Sequence, residues 1–372
     1  MKVGIDARAA IWYRGTGIGT YTYQLIRNLV SLDKVNLYRF FWPGDEYKDL
    51  DPRTDSVFNS ILKHKDKFWE EVHIPAALEG DNINVYHVPQ NGIGLPAKKG
   101  CPLIVTVHDL IPYVYPETVG RNYLKVFLQE MPRIMEEADK VITVSEWSKK
   151  DIQKIFKLPN ERILVTYEAA EEIYRPLDKK KCREILSQKY GIGDRFILYL
   201  GGFGPRKNIS SLINAFFSLK NDIAPEIKLV IVGKPGRDYE ELNLLVEALG
   251  IEDKVLFPGF APVEDLPLFY NACAVFVYPS IYEGFGLPPL EAMACGTPTL
   301  TSNVSSIPEI VGDGAILINP FNSIELAEKI YSILTDEDLA LQYTVRGLAK
   351  ANQYTWEKTA LLTMQAYQEF AL

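Results

Sequence analysis

Two carboxylates, Glu283 and Glu291, separated by seven residues, are the groups in this sequence best suited to chemistry. A Gly-Phe-Gly turn lies between them and leads into a leucine and two prolines. The glycines of the turn allow the backbone to approach a ligand closely. The amides of Phe285, Gly286 and Leu287 lie where the start of a helix can hold an anion. The segment therefore offers an anion site flanked by two carboxylates.

This order of groups fits a ligand with a phosphate between two polyols, such as a sugar nucleotide. Pro288 and Pro289 have no amide to donate, so the phosphate must bind just before them. We expect Glu291 in the first turn of the following helix, within reach of a diol such as ribose. Glu283, in the preceding loop, could accept hydrogen bonds from a sugar ring. The local residues fit an alternative equally well, in which both glutamates cap or solvate the helix N-terminus.

Two cations, Arg206 and Lys207, follow the apolar run at 196–202 and precede a helix predicted to begin near Asn208. Positive charge at a helix N-terminus opposes the helix dipole, so helix stabilisation explains these residues poorly. A leaving nucleoside diphosphate gains negative charge as its glycosidic bond breaks, and fixed cations directed at it lower the barrier. The pair is therefore predicted to be a phosphate clamp, with a solvated basic turn as the alternative.

His108 and Asp109 lie at the end of the strand predicted at 103–110. A histidine there can donate a hydrogen bond to a sugar hydroxyl or act as a general acid or base. In the alternative interpretation, Asp109 caps the next segment and His108 is a structural side chain with satisfied hydrogen bonds.

A glycine-rich loop, GTGIGT at 15–20, follows the first predicted strand and precedes a helix. Gly17 belongs to this loop, and the amides of Ile18 and Gly19 lie where they could approach an anion. The loop departs from the dinucleotide-binding motif, because Thr20 stands where the third glycine should be. The second strand also lacks an acidic residue at its end. Binding of NAD, and with it an oxidoreductase function, is disfavoured.

Strands that alternate with helices must position these residues, since the candidate side chains follow apolar runs. The runs are continuous, as in strands buried on both faces of a parallel sheet. They lie at 3–7, 37–42, 84–88, 103–110, 140–145 and 163–167, and again at 196–202, 228–233, 254–259, 274–280, 298–303 and 315–320. The pattern predicts an α/β fold with two doubly wound, Rossmann-like domains whose strand ends face one cleft.

The length of 372 residues exceeds what one hydrophobic core usually serves. We place the first domain at 1–172 and the second at 182–353. The last segment, 354–372, has the pattern of an amphipathic helix with Trp356, Ala360, Met364 and Tyr367 on one side. We expect this helix to pack back on the first domain.

Composition excludes several classes of function. A net charge of -8 argues against nucleic-acid binding, which requires a basic face. The apolar runs are too short for a membrane span, and the N-terminus resembles a strand more than a signal peptide, so a cytoplasmic protein is expected. A basic, aromatic segment at 62–69, with Arg121, Tyr123 and Lys125, could touch an anionic surface. Interleaved acidic residues favour a solvated helix face instead.

Metal-ligand spacing is missing from the sequence. The four cysteines are widely separated and the four histidines form no metal-binding pattern. Two Asp-x-Asp triplets, at 49–51 and 336–338, fall in polar segments rather than at the end of a buried strand. We therefore expect neither a catalytic metal nor another cofactor.

With these features assembled, the chain resembles the retaining GT-B glycosyltransferases of family four, also called group 1. The resemblance rests on the glycine loop, the VTVHDL strand, the segment VSEWSKKDI at 144–152, LGGFGPRKN, the Glu-x7-Glu box and the closing TWEKTA helix. It extends over nearly the whole chain. Members that act as mannosyltransferases in bacterial polysaccharide synthesis are the most similar.

The resemblance implies roles for the residues of the second domain. Glu291 would hold the ribose of the donor and Glu283 the hydroxyls of its sugar. The amides at 285–287 would meet the diphosphate, while Lys207, with Arg206 beside it, would neutralise the leaving phosphate. Many relatives carry an arginine where this chain has a glycine at 202, which leaves these two cations to supply the positive charge.

The remaining roles implied by the resemblance concern both domains. His108 would contact the donor sugar near its reacting face. The loop at 17–19, together with Asp109, would border the acceptor or a phosphate. The backbone near Gly259 and Phe260 would line the pocket for the base.

The implied activity is retaining, metal-independent transfer of a hexose, with GDP-mannose as the expected donor. The acceptor would be a saccharide or a lipid-linked glycan on the cytosolic side of polysaccharide assembly, which leaves peripheral contact with the membrane open. Two alternatives within this fold also stay open, a GT-B nucleotide-sugar epimerase and a catalytically silent nucleotide-binding subunit.

Overall fold

The computed structural model describes residues 1–42, 69–193, 195–234, 236 and 238–371. The acidic triplet at 49–51 and residues 62–68 of the basic segment lie outside the described residues. The chain forms two compact units. The first comprises Met1–Glu168 and Thr355–Leu372, and the second comprises Ala169–Tyr354.

The first unit is built on a parallel sheet of six strands in the order β2-β1-β3-β4-β5-β6. Its strands are β1 (Lys2–Asp6), β2 (Leu37–Phe41), β3 (Val85–Val88), β4 (Leu103–Val107), β5 (Lys140–Thr143) and β6 (Ile163–Val165). Every residue of β3, β4 and β5 is buried, as the continuous apolar runs predict.

Helices connect these strands. They are α1 (Arg8–Trp12), α2 (Gly17–Leu32), α3 (Ile74–Gly80), α4 (Ile111–Val114), α5 (Arg121–Glu137) and α6 (Glu146–Phe156), with a π-helical turn at Trp69–His73. The side chains of Thr16 and Ser145 cap α2 and α6 by accepting amide hydrogen bonds.

The second unit has a six-stranded parallel sheet in the order β12-β11-β10-β7-β8-β9. Its strands are β7 (Phe196–Leu200), β8 (Lys228–Val232), β9 (Val255–Gly259), β10 (Val275–Tyr278), β11 (Thr299–Ser302) and β12 (Ile316–Ile318). Its helices are α7 (Lys179–Tyr190), α8 (Ile209–Leu219), α9 (Tyr239–Leu249), α10 (Leu266–Ala272), α11 (Leu287–Ala294), α12 (Ile307–Val311), α13 (Ser323–Thr335) and α14 (Glu337–Ala351). The predicted doubly wound α/β architecture is thus confirmed in both units.

The closing helix α15 (Trp356–Gln368) belongs to the first unit. The hydroxyl of Tyr367 lies 2.8 Å from Nδ1 of His87, and Glu369, just past the helix, pairs with Lys140 at 2.7 Å. Trp356 and Tyr367 are buried, whereas Met364 is only partly buried. In the part of the chain that the structure describes, no helix combines the length and the apolarity needed to cross a membrane.

Candidate active site

The site of the second unit forms where the strand order reverses. In doubly wound sheets, ligands bind at the carboxyl ends of the two strands beside such a reversal. Here these strands are β7 and β10, which are neighbours in the sheet although β8 and β9 separate them in sequence. Arg206 and Lys207 lie in a 3₁₀ turn after β7, and Glu283 lies in the loop after β10. The topology therefore brings the cations and the carboxylate together.

Four groups converge on one oxygen of Glu283. Its Oε1 lies 2.6 Å from Lys207 Nζ and 2.7 Å from Arg206 Nη1. It also accepts hydrogen bonds from Ser280 Oγ at 2.6 Å and from Tyr278 OH at 2.9 Å. Two cations on one carboxylate leave an excess of one positive charge, which suits an anionic ligand.

The protonation states at this cluster follow from its charges. Burial alone would raise the pKa of Glu283, but the charges of Arg206 and Lys207 outweigh it and lower the pKa to about 2. The carboxylate is therefore ionised at neutral pH and can only accept hydrogen bonds. Burial and the charge of Glu283 raise the pKa of Tyr278 well above its usual value, so its hydroxyl keeps its proton and donates.

Asn208 fixes the loop that carries the two cations. Its Nδ2 donates to the carbonyl oxygen of Pro279 at 3.2 Å and to that of Pro320 at 2.7 Å, just after β10 and β12. The residue has φ +56°, a left-handed conformation that asparagine adopts more readily than most residues. Helix α8 begins at the next residue, so both cations precede the helix.

The Gly-Phe-Gly turn depends on its second glycine. Gly286 has φ +112° and is the N-cap of α11. A Cβ at this position would lie 2.6 Å from Cδ1 of Ile307. Only glycine fits both the conformation and the space. The helix consequently starts at Leu287, which places the amides of residues 286 and 287 at the helix start, where intrahelical acceptors are lacking.

Two serines after β11 hold the turn in place. Ser306 Oγ donates to the carbonyl oxygens of Glu283 and Phe285, at 2.9 and 2.8 Å. Ser305, with φ +55°, accepts a hydrogen bond from the amide of Glu283 at 2.9 Å. Neither serine was predicted from the sequence to belong to the site. The sequence feature that could have indicated their role is a pair of serines shortly after a buried strand, where site residues are expected.

Glu291 lies in the second turn of α11, and the prediction of the first turn is wrong. The reason is that the helix begins already at Leu287, directly after the left-handed Gly286, so Glu291 is its fifth residue. Helical side chains lean toward the N-terminus, so the Glu291 carboxylate still points along the helix toward the turn. It is largely buried, and its Oε2 accepts a hydrogen bond from Tyr270 OH at 2.9 Å.

The predicted base pocket lies at the end of β9. Gly259 has φ +82°, and Phe260 is 64% exposed, so its ring is available to a ligand. The ends of β7 and β8 approach each other closely nearby. A Cβ at Gly233 would lie 2.0 Å from the carbonyl oxygen of Gly201, so that site admits only glycine. Contact between Phe260 and a base stays a prediction.

The glycine loop of the first unit is more closed than the sequence suggested. Helix α2 starts at Gly17, and Thr16 Oγ accepts the amide hydrogen of Gly19 at 3.2 Å. A Cβ at Gly19 would lie 1.9 Å from the carbonyl oxygen of Tyr13, so this glycine permits close packing. The amide of Gly19 therefore has a partner within the loop, and its contact with an anion stays a prediction. A role for Ile18 stays a prediction.

His108 has partners on both sides of its ring. Its Nε2 lies 2.9 Å from the carbonyl oxygen of Pro89, and its Nδ1 lies 3.1 Å from Oε1 of Glu168. Both ring nitrogens are therefore engaged within the protein. This geometry favours the structural interpretation, and contact with a sugar stays a prediction.

Asp109 caps the segment that follows it. Its Oδ1 accepts the amide hydrogen of Ile111 at 3.0 Å, at the start of α4. This hydrogen bond is the cap that the alternative, structural interpretation of Asp109 predicts. A further contact with an acceptor or phosphate is untested.

A second buried ion pair, which was not predicted from the sequence, lies at the strand reversal of the first unit. Arg8 Nη2 is 2.7 Å from Oδ2 of Asp6, at the end of β1. Gln90, after β3, donates to the same oxygen at 2.6 Å. The guanidinium lies 5.0 Å from the ring centroid of Trp69, a cation–π contact.

Comparison with known proteins decides the family. The sequence profile described as "Glycosyltransferase Family 4" matches residues 15–170, and that described as "Glycosyl transferases group 1" matches residues 183–348. The chain is 31% identical over 384 residues to the O-antigen chain mannosyltransferase B of Escherichia coli, covering 99% of this chain and 100% of the relative. This chain belongs to the group 1 glycosyltransferases of family four.

Other similarities agree with this family. The serotype-specific mannosyltransferase WbdA of Escherichia coli is 31% identical over 300 residues, which are 80% of this chain but 36% of that protein. Among solved structures, the sucrose-phosphate synthase of Thermosynechococcus elongatus has a TM-score of 0.76 at 21% identity, with 99% of this chain and 98% of that chain covered. The predicted GT-B fold is confirmed, and the chain is a glycosyltransferase.

The sequence predicts that this glycosyltransferase uses no catalytic metal ion. Among the described residues, no three histidine, cysteine, aspartate or glutamate side chains are grouped as a metal site. The acidic triplet at 336–338 lies at the start of α14, where Asp336 accepts the amide hydrogen of Leu339 at 2.9 Å. These carboxylates therefore stabilise a helix N-terminus.

Proposed function

We propose that this glycosyltransferase transfers mannose from GDP-mannose to a saccharide or lipid-linked glycan acceptor during polysaccharide assembly, with retention and without a metal ion. The cluster at Glu283 carries the proposal, because Lys207 and Arg206 leave an excess positive charge beside a carboxylate that can only accept hydrogen bonds. The mannosyltransferase that matches the whole chain supports the choice of sugar.

The two cations would act on the leaving group. As the bond between the sugar and the diphosphate breaks, negative charge develops on the phosphate oxygen, and Lys207 with Arg206 would stabilise it. An ammonium has three N–H donors, so contact with Glu283 is compatible with contact to a phosphate. Glu283 would meanwhile accept hydrogen bonds from hydroxyls of the donor sugar and orient the ring.

The acceptor proton needs a different base. A carboxylate with a pKa of about 2 is a weak base at neutral pH, so Glu283 is poorly suited to this task. We assign the proton to the leaving phosphate oxygen. The bond from the anomeric carbon to the acceptor oxygen then forms on the face from which the diphosphate departs, and the configuration is retained.

A lipid-linked acceptor would place the reaction at the cytosolic face of a membrane. The start of α5 supports peripheral contact there, because Tyr123 and Val126 are both 45% exposed and Arg121 and Lys125 are exposed beside them. Apolar and basic side chains together suit an anionic lipid surface. Flotation with anionic vesicles, compared between the wild type and Lys125→Glu, tests this part of the proposal.

Donor turnover in EDTA tests the activity. We would incubate the protein with GDP-mannose or UDP-glucose, with and without an apolar mannoside as acceptor, and identify the products by NMR. An α-mannoside formed from GDP-mannose in EDTA supports the proposal. A β-linked product overturns retention, and preference for UDP-glucose overturns the donor. An epimerised nucleotide sugar formed without acceptor favours the epimerase, and binding of GDP without any turnover favours a silent subunit.

A further inference from the structure

A buried tyrosine lies against the second carboxylate of the Glu-x7-Glu box. Tyr270, on α10, is completely buried, and its hydroxyl donates to Oε2 of Glu291 at 2.9 Å. Its ring makes edge contacts with Phe276 and Tyr174, with centroids 5.2 and 5.8 Å away. The hydroxyl is therefore held in one place by the packing of its ring.

The backbone of Tyr270 is tied to the same region. Its carbonyl oxygen accepts a hydrogen bond from Thr297 Oγ1 at 2.6 Å and one from Cys273 Sγ at 3.1 Å. Thr297 lies just past α11, the helix that carries Glu291, and its amide bonds to the carbonyl oxygen of Ala292 in that helix at 3.0 Å. Both ends of Tyr270 thus contact α11 or the residues next to it.

The hydrogen bond has a defined direction. Burial and the charge of Glu291 raise the pKa of Tyr270 well above its usual value, so the hydroxyl keeps its proton and donates. A glutamate side chain has several rotatable bonds, and a fixed donor removes much of that freedom before a ligand arrives. A carboxylate offers about four lone-pair sites, so the bonds that Glu291 accepts from Tyr270 and from Tyr174 still leave room for two hydroxyls.

We propose that Tyr270 is a positioning residue that holds Glu291 in the orientation in which it accepts the 2′ and 3′ hydroxyls of the donor ribose. This inference rests on the proposed function, because it takes the ligand to be a nucleoside diphosphate sugar. A merely structural tyrosine would affect every nucleotide equally. A positioning tyrosine affects only those that carry the hydroxyls.

The experiment compares two nucleotides on two tyrosine variants. Calorimetry with GDP and with 2′,3′-dideoxy-GDP would be carried out on the wild type, Tyr270→Phe and Tyr190→Phe. Tyr190 is a matched control, since its hydroxyl also donates to a carboxylate, Asp265 Oδ2, at 2.7 Å, and its ring contacts the neighbouring Phe269. Each substitution removes one hydroxyl and keeps the ring.

We expect Tyr270→Phe to bind GDP about tenfold more weakly than the wild type, as for loss of a hydrogen bond to a charged group. Its affinity for the dideoxy nucleotide stays unchanged, and Tyr190→Phe matches the wild type with both nucleotides. An equal loss for both nucleotides in Tyr270→Phe overturns the inference, and so does an unchanged affinity for GDP.

A Glu291→Gln background provides a second test of the coupling between Tyr270 and Glu291. Because Tyr270 acts through Glu291, adding Tyr270→Phe to Glu291→Gln should weaken GDP binding no further, and additive losses overturn the inference. If the wild type binds UDP or ADP instead of GDP, the donor assignment fails and the same comparison with that nucleotide decides the role of Tyr270. If the wild type binds no nucleoside diphosphate, both proposals fail.

Discussion

The two sheets each carry a buried ion pair at the point where their strand order reverses, and the two pairs are built differently. In the first unit, Asp6 pairs with Arg8, two residues further along the chain, and the charges cancel. In the second unit, Glu283 pairs with both Arg206 and Lys207 from a distant loop, and one positive charge is left over. A neutral pair suits structure, whereas an excess charge suits an anion.

The cations of these two clusters also differ in their exposure to solvent. The side chain of Arg8 is 7% exposed, while those of Arg206 and Lys207 are 17% and 15% exposed. Arg8 also lies against the ring of Trp69, and the space beside it is filled, since a Cβ at Gly94 would lie 1.9 Å from its Nη2. The comparison predicts that changes at the first cluster affect stability and that changes at the second affect turnover.

The largest expected effect is at the first cluster. Arg8→Met leaves Asp6 as a buried charge without its cation, and we expect the first unit to lose about 3–5 kcal/mol of unfolding free energy. All five tryptophans of the chain lie in this unit, so tryptophan fluorescence during urea unfolding reports on it specifically. GDP binding by the folded variant should be unchanged.

Lys99→Met is the control for this change. Lys99 pairs with Asp139 at 2.7 Å, but its side chain is 45% exposed, so we expect a loss below about 1 kcal/mol. A stable Arg8→Met protein that has lost turnover would contradict the comparison, because it would place Arg8 in the reaction.

The next effect is on catalysis in the second unit. Lys207→Ala removes one cation from the leaving group, and we expect kcat to fall about 10²–10³-fold, equivalent to about 3–4 kcal/mol. Tryptophan fluorescence should show an unchanged first unit. Lys220→Ala, at the end of α8 and 4.0 Å from the ring centroid of Phe217, is the control and should keep normal turnover. Near-normal turnover of Lys207→Ala would remove the clamp.

Acid should unfold the two units in different pH ranges. Burial, together with nearby His108, lowers the pKa of His87 to about 3, so the unfolded chain binds a proton below pH 6.5 that the folded one does not. The first unit therefore loses stability as pH falls from about 6.5, by about 2 kcal/mol at pH 5. Glu283 has a folded pKa of about 2, so its contribution is lost only between about pH 4.5 and 2.

Tryptophan fluorescence follows the first unit during this titration, and hydrogen exchange of β10 follows the second. His87→Gln should flatten the fluorescence profile between pH 6.5 and 5, because the titrating group is gone. If both units unfolded together at pH 5, their acid unfolding would not arise from separate groups, His87 in one and Glu283 in the other.

The strands and the cluster at Glu283 could largely be predicted from the sequence, because they depend on strand order and local residue type, whereas the pair of Asp6 and Arg8 was not predicted. Over the residues that the structure describes, the apolar runs located the twelve strands to within a few residues, and parallel pairing placed Lys207 and Glu283 at the same sheet edge. Continuous apolar runs and charged residues beyond them are local signals.

The contacts that fix the site were not predictable in the same way. Tyr270 looks like an ordinary core aromatic on a short helix, and its hydrogen bond to Glu291 depends on how α10 packs beside α11. Asn208 is polar in sequence, but its two carbonyl partners come from loops that are remote along the chain. Such contacts are set by the relative placement of elements, which a local pattern does not encode.

The smallest expected effect tests whether distant loops build the second cluster. Ser306→Ala removes the donor shared by the carbonyls of Glu283 and Phe285, which loosens the turn predicted to hold the diphosphate. We expect GDP binding to weaken by about 1 kcal/mol, or about fivefold. Ser218→Ala is the control, because that hydroxyl donates to a carbonyl of its own helix, that of Ala215 at 2.7 Å. Calorimetry that shows equal GDP affinities for the two variants would mean that Glu283 keeps its position without the β11 loop. The second cluster would then be as self-contained as the pair of Asp6 and Arg8, and excess charge alone would distinguish them.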